Sequence, residues 1–227
     1  MSPTQPANLA SPPPVMTVAQ IRAAETHTME HTPESVLMDR AAEGLTRACL
    51  DLLKRRERRT RGASVVLLVG PGNNGGDALL AGALLASRGA VVTGVGVAHT
   101  AHPRGVATLT EGGGRWHDAN DDAGLGSALG ALATADLVLD GIVGIGSKPG
   151  LREPAARLVA AIPETAVVVA VDIPSGLDAD SGTLPHTHVR ADLTVTFTAL
   201  KPCLVTAPAT QAAGEIVVVD VGVEPTD

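Results

Sequence analysis

Three carboxylates, one lysine and a pair of asparagines stand in or beside glycine-rich or turn-rich stretches of this 227-residue chain. Gly70-Pro71-Gly72-Asn73-Asn74-Gly75-Gly76-Asp77 follows the apolar run 64–69. Asp140 ends a second apolar run and opens Gly141-Ile142-Val143-Gly144-Ile145-Gly146-Ser147-Lys148-Pro149-Gly150. Asp172 ends a third and leads into Ile173-Pro174-Ser175-Gly176. Lys201 follows a fourth, 192–198. Such groups pass protons or hold ions: Asn, Asp and Ser oxygens suit a hard cation, and glycine loops let backbone N–H groups approach a phosphate. Each has a plainer reading alone. Gly75 and Gly76 make a tight turn with Asp77 capping a helix. Asp140 and Asp172 are turn residues, and Lys201 is a solvated side chain.

The elements decide between the readings. Strands are expected over 64–70, 90–98, 135–142, 166–173, 192–198 and 215–222. Helices are expected over 77–89, 103–114, 123–135 and 153–163, after two N-terminal helices. Thr17 and Gln20 have capping-box spacing at the first of these helices. Leu37, Ala41, Leu45, Cys49 and Leu52 share a face of the second. Strand–helix alternation predicts a parallel sheet with helices on both faces. Ligands of such sheets bind beyond the carboxyl ends of the strands, where Asp77, Asp140, Asp172 and Lys201 all fall. Polar groups gathered at one sheet edge have no packing purpose.

Several common chemistries are disfavoured. Gly70–Gly75 fits the dinucleotide pattern G-x-G-x-x-G, but the next strand ends Val97-Ala98-His99 without the acid that holds a ribose. No G-K-[ST] follows the loop, and no G-x-S-x-G nucleophile elbow occurs. His186 and His188 lack zinc spacing. Aromatics are Trp116 and Phe197 alone, and net charge is -7, which argues against nucleic acid. Cys49 and Cys203 are too few for a disulfide framework. No apolar stretch reaches about 20 residues, so no membrane span is expected. Residues 1–15, rich in proline, read as a disordered tail and not a signal peptide, with 16–227 as one domain. A cytoplasmic location is expected. The basic run after residue 53 reads as a solvated helix end.

Taken in order, GPGNNGGD, DGIVGIGSKPGLREP, VAVDIPSGLDADSG and ADLTVTFTALKPCL resemble the YjeF N-terminal-domain family, the NAD(P)H-hydrate epimerases. VLMDRAAEGL is similar to that family's M-E-N-A-G helix. The resemblance spans roughly residues 16–223. It implies a Rossmann-like three-layer α/β/α sandwich with a mainly parallel sheet. It implies interconversion of the R and S forms of NADH or NADPH hydrated at nicotinamide C6, so that a separate ATP- or ADP-dependent dehydratase restores the cofactor. That dehydratase is fused to the epimerase in many bacterial relatives. One potassium ion per subunit is implied, on Asn74, Asp140 and Ser175. Substrate contacts are implied for Asn73, Asn74, Gly75, Gly76, Asp77, Gly144, Ile145, Gly146, Ser147, Lys148, Pro149, Gly150 and Asp172. Relatives often form homodimers, and the resemblance extends that option to this chain. Ala78 stands where many members have glycine, Gly141 and Ile145 where alanine and threonine are commoner, and Cys203 where glycine is.

Epimerisation at C6 needs a group that passes protons to and from oxygen. Asp172 is the first candidate and Lys201 the second. Two alternatives stay open. One is a non-catalytic binding or scaffold module on the same fold, since fold alone does not fix function. The other is a NAD-dependent oxidoreductase, disfavoured by the missing ribose acid.

Overall fold

The computed structural model describes residues 13–223. The tail expected over 1–15 lies outside the described residues up to residue 12. Its last residues are placed: Leu200 N donates to Pro14 O at 2.9 Å, and Val15 bridges to Leu200.

Seven strands form one sheet in which every neighbouring pair is parallel. They are β1 (Ser64–Val69), β2 (Val91–Gly96), β3 (Arg115–Asp118), β4 (Leu137–Gly141), β5 (Val167–Val171), β6 (Leu193–Phe197) and β7 (Glu215–Val219). Their order is β3-β2-β1-β4-β5-β6-β7. Two helices precede the sheet, α1 (Val18–Met29) and α2 (Glu34–Arg55). The connections carry α3 (Asn73–Ser87), α4 (Pro103–Glu111), α5 (Asp122–Leu132), α6 (Ala155–Ala160) and the short α7 (Pro202–Val205). The expected three-layer α/β arrangement is present.

Alternation along β1 explains the layers. Val65, Leu67 and Val69 pack with Leu45, Leu52 and Leu79 from α2 and α3. Val66 and Leu68 point the other way, to Leu132 and Leu158 from α5 and α6. The chain winds outward from β1 to β3, then restarts on the other side of β1 with β4. The loops after β1 and β4 therefore part, and a crevice opens between them.

Three local readings need correction. First, α3 begins at Asn73, four residues before the expected start, so the asparagines and glycines form its first turn. Its N-cap is Gly72, which makes no side-chain capping bond, and Asp77 caps nothing. The glycines are needed for closeness. A Cβ on Gly75 would lie 2.3 Å from Gly70 O, and one on Gly76 2.5 Å from Met38 Cε. Second, β3 is an edge strand of four residues with no apolar run, which hid it. Trp116 lies across β2, where a Cβ on Gly94 would come within 2.9 Å of the indole. Third, the strands and most of the helices are trimmed by one to three residues at their ends. The capping box at Thr17 is present.

Three arginines at and just after the end of α2 are paired. Arg55 meets Glu215 at 2.7 Å, Arg56 meets Asp192 at 2.9 Å and Arg58 meets Asp136 at 3.2 Å. These acids flank the amino ends of strands, so the run fastens α2 to the sheet edge away from the crevice. Cys49 is fully buried, and desolvation pushes its thiol up to about 12, which keeps it unreactive.

Two of the departures from the family pattern meet in space. A Cβ on Gly141 would lie 2.6 Å from the Ala78 Cβ, so one methyl fills the space between α3 and β4 whichever element carries it. Gly141→Ala is expected to cost roughly 1–3 kcal/mol through overpacking. Adding Ala78→Gly is expected to recover part of that loss despite the helix cost of glycine. Urea unfolding of the two single variants and the double variant measures the coupling; additive losses would show that the two sites do not share one volume.

Candidate active site

The loops after β1 and β4, the ends of β5 and β6, and one face of α1 surround a cavity of about 530 Å³. Asn73, Asn74, Asp77, Gly144, Ile145, Gly146, Ser147, Asp172 and Lys201 line it, so the structure brings most of the anticipated residues together. Gly75 and Gly76, in the first turn of α3, face Gly70 and Met38 and do not line it. Lys148, Pro149 and Gly150 run past the cavity without lining it. Asp140 and Ser175 are fully buried just outside its wall.

Lys201 is the largest fully buried side chain among the described residues. A buried ammonium costs several kcal/mol unless it is paired and hydrogen-bonded. Here Nζ meets Asp172 Oδ1 at 2.5 Å, Thr196 Oγ1 at 2.7 Å and Phe197 O at 2.9 Å, so all three donors are used. Thr196 Oγ1 also lies 3.2 Å from Asp172 Oδ1, to which it donates. Asp172 Oδ1 is thus held from two sides. Oδ2 has no hydrogen-bond partner among the described residues and lies beside Gly144, where an added Cβ would meet it at 3.4 Å.

The backbone is bent to deliver this pair. Asp172 has φ +69°, and Ile173 N donates to Val171 O at 2.9 Å. The end of β6 repeats the device: Thr198 has φ +66°, and Ala199 N donates to Phe197 O at 2.7 Å. Both are three-residue turns in the left-handed region, a form rare for residues with side chains and concentrated at functional sites.

A second polar group stitches the loops. Ser175 N donates to Asp140 Oδ2 at 2.7 Å, and Ile142 N to Oδ1 at 3.3 Å. Val143 N donates to Ser175 Oγ at 3.0 Å, and Oγ donates to Val143 O at 3.1 Å. Burial raises the Asp140 carboxyl to about 6, against the lowering effect of these hydrogen bonds. Asn74 lies next to this group across Gly144, and its buried amide nitrogen has no partner. No group of three His, Cys, Asp or Glu side chains that could bind a metal occurs among the described residues.

Sequence reasoning expected α1 as a helix but gave it no place at the site. Ile21, Arg22 and Glu25 line the cavity, as does Phe197. Arg22 and Glu25 lie one helical turn apart, which is a signal, but that spacing is ordinary on any solvated helix. Burial raises the Glu25 carboxyl, and the Asp172 charge raises it further. Asp77 is raised well above the usual carboxylate range by burial first, then by Asp172, Glu25 and Glu34, and one of its buried oxygens has no partner.

Asp77 supplies a stability test. Its folded-state pKa exceeds the unfolded value, so the folded protein holds the proton more tightly and the residue destabilises the fold as pH rises through that window. In potassium-free buffer, Asp77→Asn is expected to raise the thermal midpoint by a few degrees at about pH 8. The gain should shrink toward nothing near about pH 4. A midpoint lowered equally at both pH values would refute the burial argument.

Comparison with known proteins agrees with this arrangement. The model of the family described as YjeF-related protein N-terminus matches residues 34–203. A bifunctional NAD(P)H-hydrate repair enzyme, Nnr, of Mycobacterium tuberculosis is 39% identical over 209 residues, covering 91% of this chain and 41% of the relative. An NAD(P)H-hydrate epimerase of Clavibacter michiganensis subsp. michiganensis is 41% identical over 217 residues, covering 91% of this chain and 89% of the relative. The crystal structure of the yeast protein ynu0 superposes with a TM-score of 0.74 at 21% identity, covering 94% of this chain and 95% of that one, which shows the shared fold. The chain spans about two-fifths of the length of the bifunctional relatives it matches. With the family model running through the crevice loops, Asp77, Asp140, Asp172 and Lys201, the chain belongs to the YjeF-related protein N-terminal family.

Proposed function

We propose that this chain interconverts the R and S forms of hydrated NADH and NADPH at nicotinamide C6, and so is an isomerase of nicotinamide-cofactor repair. The observation that carries this reading is the Asp172–Lys201 pair, buried at adjacent strand ends with Asp172 Oδ2 free beside the cavity. The names of relatives that match nine-tenths of this chain support it.

Asp172 is the acid–base group. Its Oδ1 is immobilised by Lys201 and Thr196, so Oδ2 meets a substrate hydroxyl in a fixed position. Lys201 holds that carboxylate and stabilises negative charge developing on it. The first turn of α3 and the Gly144–Ser147 loop offer backbone N–H groups to the anionic part of the dinucleotide.

Asn74, Asp140 and Ser175 fit a potassium ion, one per subunit. Their donors are amide, carboxylate and hydroxyl oxygens, to which the Val143 carbonyl adds a fourth. The unpartnered Asn74 amide presents its oxygen once rotated. A cation there would supply fixed positive charge that offsets the buried Asp140 carboxylate and favours an anionic substrate. The S form passes to an ATP- or ADP-dependent dehydratase, on the same chain or another. Among the described residues no helix is long and apolar enough to cross a membrane, and a cytoplasmic setting and a homodimer belong to the same proposal.

Loss of the R form from an R/S mixture, drained by a dehydratase that consumes only S, measures the activity against spontaneous epimerisation. The wild-type protein should exceed that baseline in potassium. Asp172→Asn should fall by roughly a hundredfold or more, and Asp140→Ala should lose the response to potassium. A wild-type rate equal to baseline, with folded protein and potassium present, would overturn the reading.

A further inference from the structure

Inversion at a single carbon presents the hydroxyl on alternate faces of the ring. A fixed carboxyl that removes the hydroxyl from one face returns it to the same face. Inversion then needs either a ring that turns over within its site or a second group on another wall. This cavity is confined by α1, α3, two loops and two strand ends.

Glu25 is such a second group. Its side chain lines the cavity from α1, an element unconnected in sequence to β5. Among the described residues its carboxyl has no hydrogen bond and no ion pair, so no structural duty occupies it. The helix that carries it is well anchored. Ile21 and Ala24 pack with Met16, Leu37, Ala41 and Ala199. Met16 N donates to Leu200 O at 2.9 Å, one residue from Lys201. Val18 N donates to Asp180 Oδ1 at 2.8 Å, beyond the Asp172–Ser175 turn. The position of Glu25 is therefore tied to the strand ends that hold Asp172 and Lys201.

We infer that Glu25 is a second catalytic acid–base group, serving one face of the nicotinamide ring while Asp172 serves the other. This rests on the epimerase reading and adds a route to it. The Glu25 carboxylic acid gives its proton to the C6 hydroxyl. The C6–O bond breaks, and its electron pair leaves with the oxygen as water. The N1 lone pair forms an N1=C6 double bond, and the ring becomes a cation. A water molecule adds to C6 on the opposite face and gives its proton to the Asp172 carboxylate, while the N1=C6 pair returns to N1. One water leaves and one enters, and nothing is oxidised or reduced. The reverse conversion exchanges the two roles.

The electrostatics agree with this division. The charged groups facing the Glu25 carboxyl are Arg22 on its own helix, Glu34 on α2, Asp77 on α3, and Asp172 and Lys201 at the strand ends. Burial and the neighbouring acids favour the protonated form of Glu25, whereas Asp172 is ion-paired with Lys201. Two carboxyls in unlike surroundings are how a site keeps one acid and one base ready together. Carboxylates around the ring also stabilise a cationic intermediate.

The test uses Glu25→Gln and Glu25→Asp in the full chain, with the R form as substrate in ¹⁸O-labelled water. The wild-type protein should incorporate one solvent oxygen at C6 for each inversion, faster than spontaneous exchange. Glu25→Gln should melt no lower than the wild-type protein and lose roughly a hundredfold in kcat, with KM little changed. Its pH–rate profile should lose the limb that reports the acid. Glu25→Asp should recover part of the rate. Retention of the original oxygen, an unchanged kcat in Glu25→Gln, or a loss confined to KM would each overturn the inference while leaving the epimerase reading intact. A wild-type protein no faster than baseline would overturn both.

Discussion

The structure depends on keeping an ammonium group out of water. Lys201 enters the interior with its three donors matched to a carboxylate, a hydroxyl and a carbonyl. All three acceptors come from β6 or the end of β5. Removing any one leaves a buried charge short of a partner, a loss of several kcal/mol. The match requires β5 and β6 to be neighbours in register, which Val171 opposite Val195 provides. It also requires both strands to stop in left-handed turns, at Asp172 and Thr198. These turns are strained for residues with side chains, and the ion pair is what over-determines them.

The crevice follows from winding order. Because β1 lies between β2 and β4, the loop entering α3 and the loop after Asp140 diverge, and Asn74 and Gly144 face each other across the gap. Asp140 and Ser175 then tie the β4 and β5 loops into one wall, while α1 closes the remaining side. Rigid walls built from strand ends and a pinned helix suit a reaction that must position one carbon within hydrogen-bonding reach of proton-transfer groups.

Much of this was legible in the sequence. Apolar runs of Val, Leu and Ala marked six strands, and Asp140, Asp172 and Lys201 stood out because they end or follow such runs. What escaped had physical reasons. Arg115–Asp118 forms a strand only because Gly94 and Gly96 admit Trp116 against β2, a tertiary fact without a local pattern. Asn73–Gly76 looked like a loop, since glycine weakens helices; contact with Gly70 and Met38 is what rewards glycine there. The burial of Lys201 ran against the usual exposure of lysine and needed partners five and twenty-nine positions away in the chain. Glu25 carried no motif at all. Its place at the cavity is visible only once α1 is folded onto the strand ends.

Carboxylates outnumber cations around the cavity, yet the proposed substrate is an anionic dinucleotide. In the proposed complex the nicotinamide ring enters beside the acids, and the phosphates approach the backbone N–H groups of α3 and the Gly144–Ser147 loop. The account therefore orients the substrate ring-first toward Asp172. A crystal structure with a hydrated nicotinamide dinucleotide bound tests this most directly. The account predicts the C6 hydroxyl within about 3 Å of Asp172 Oδ2 or of the Glu25 carboxyl. A ring lodged outside the cavity, with neither carboxyl in reach of C6, would contradict it.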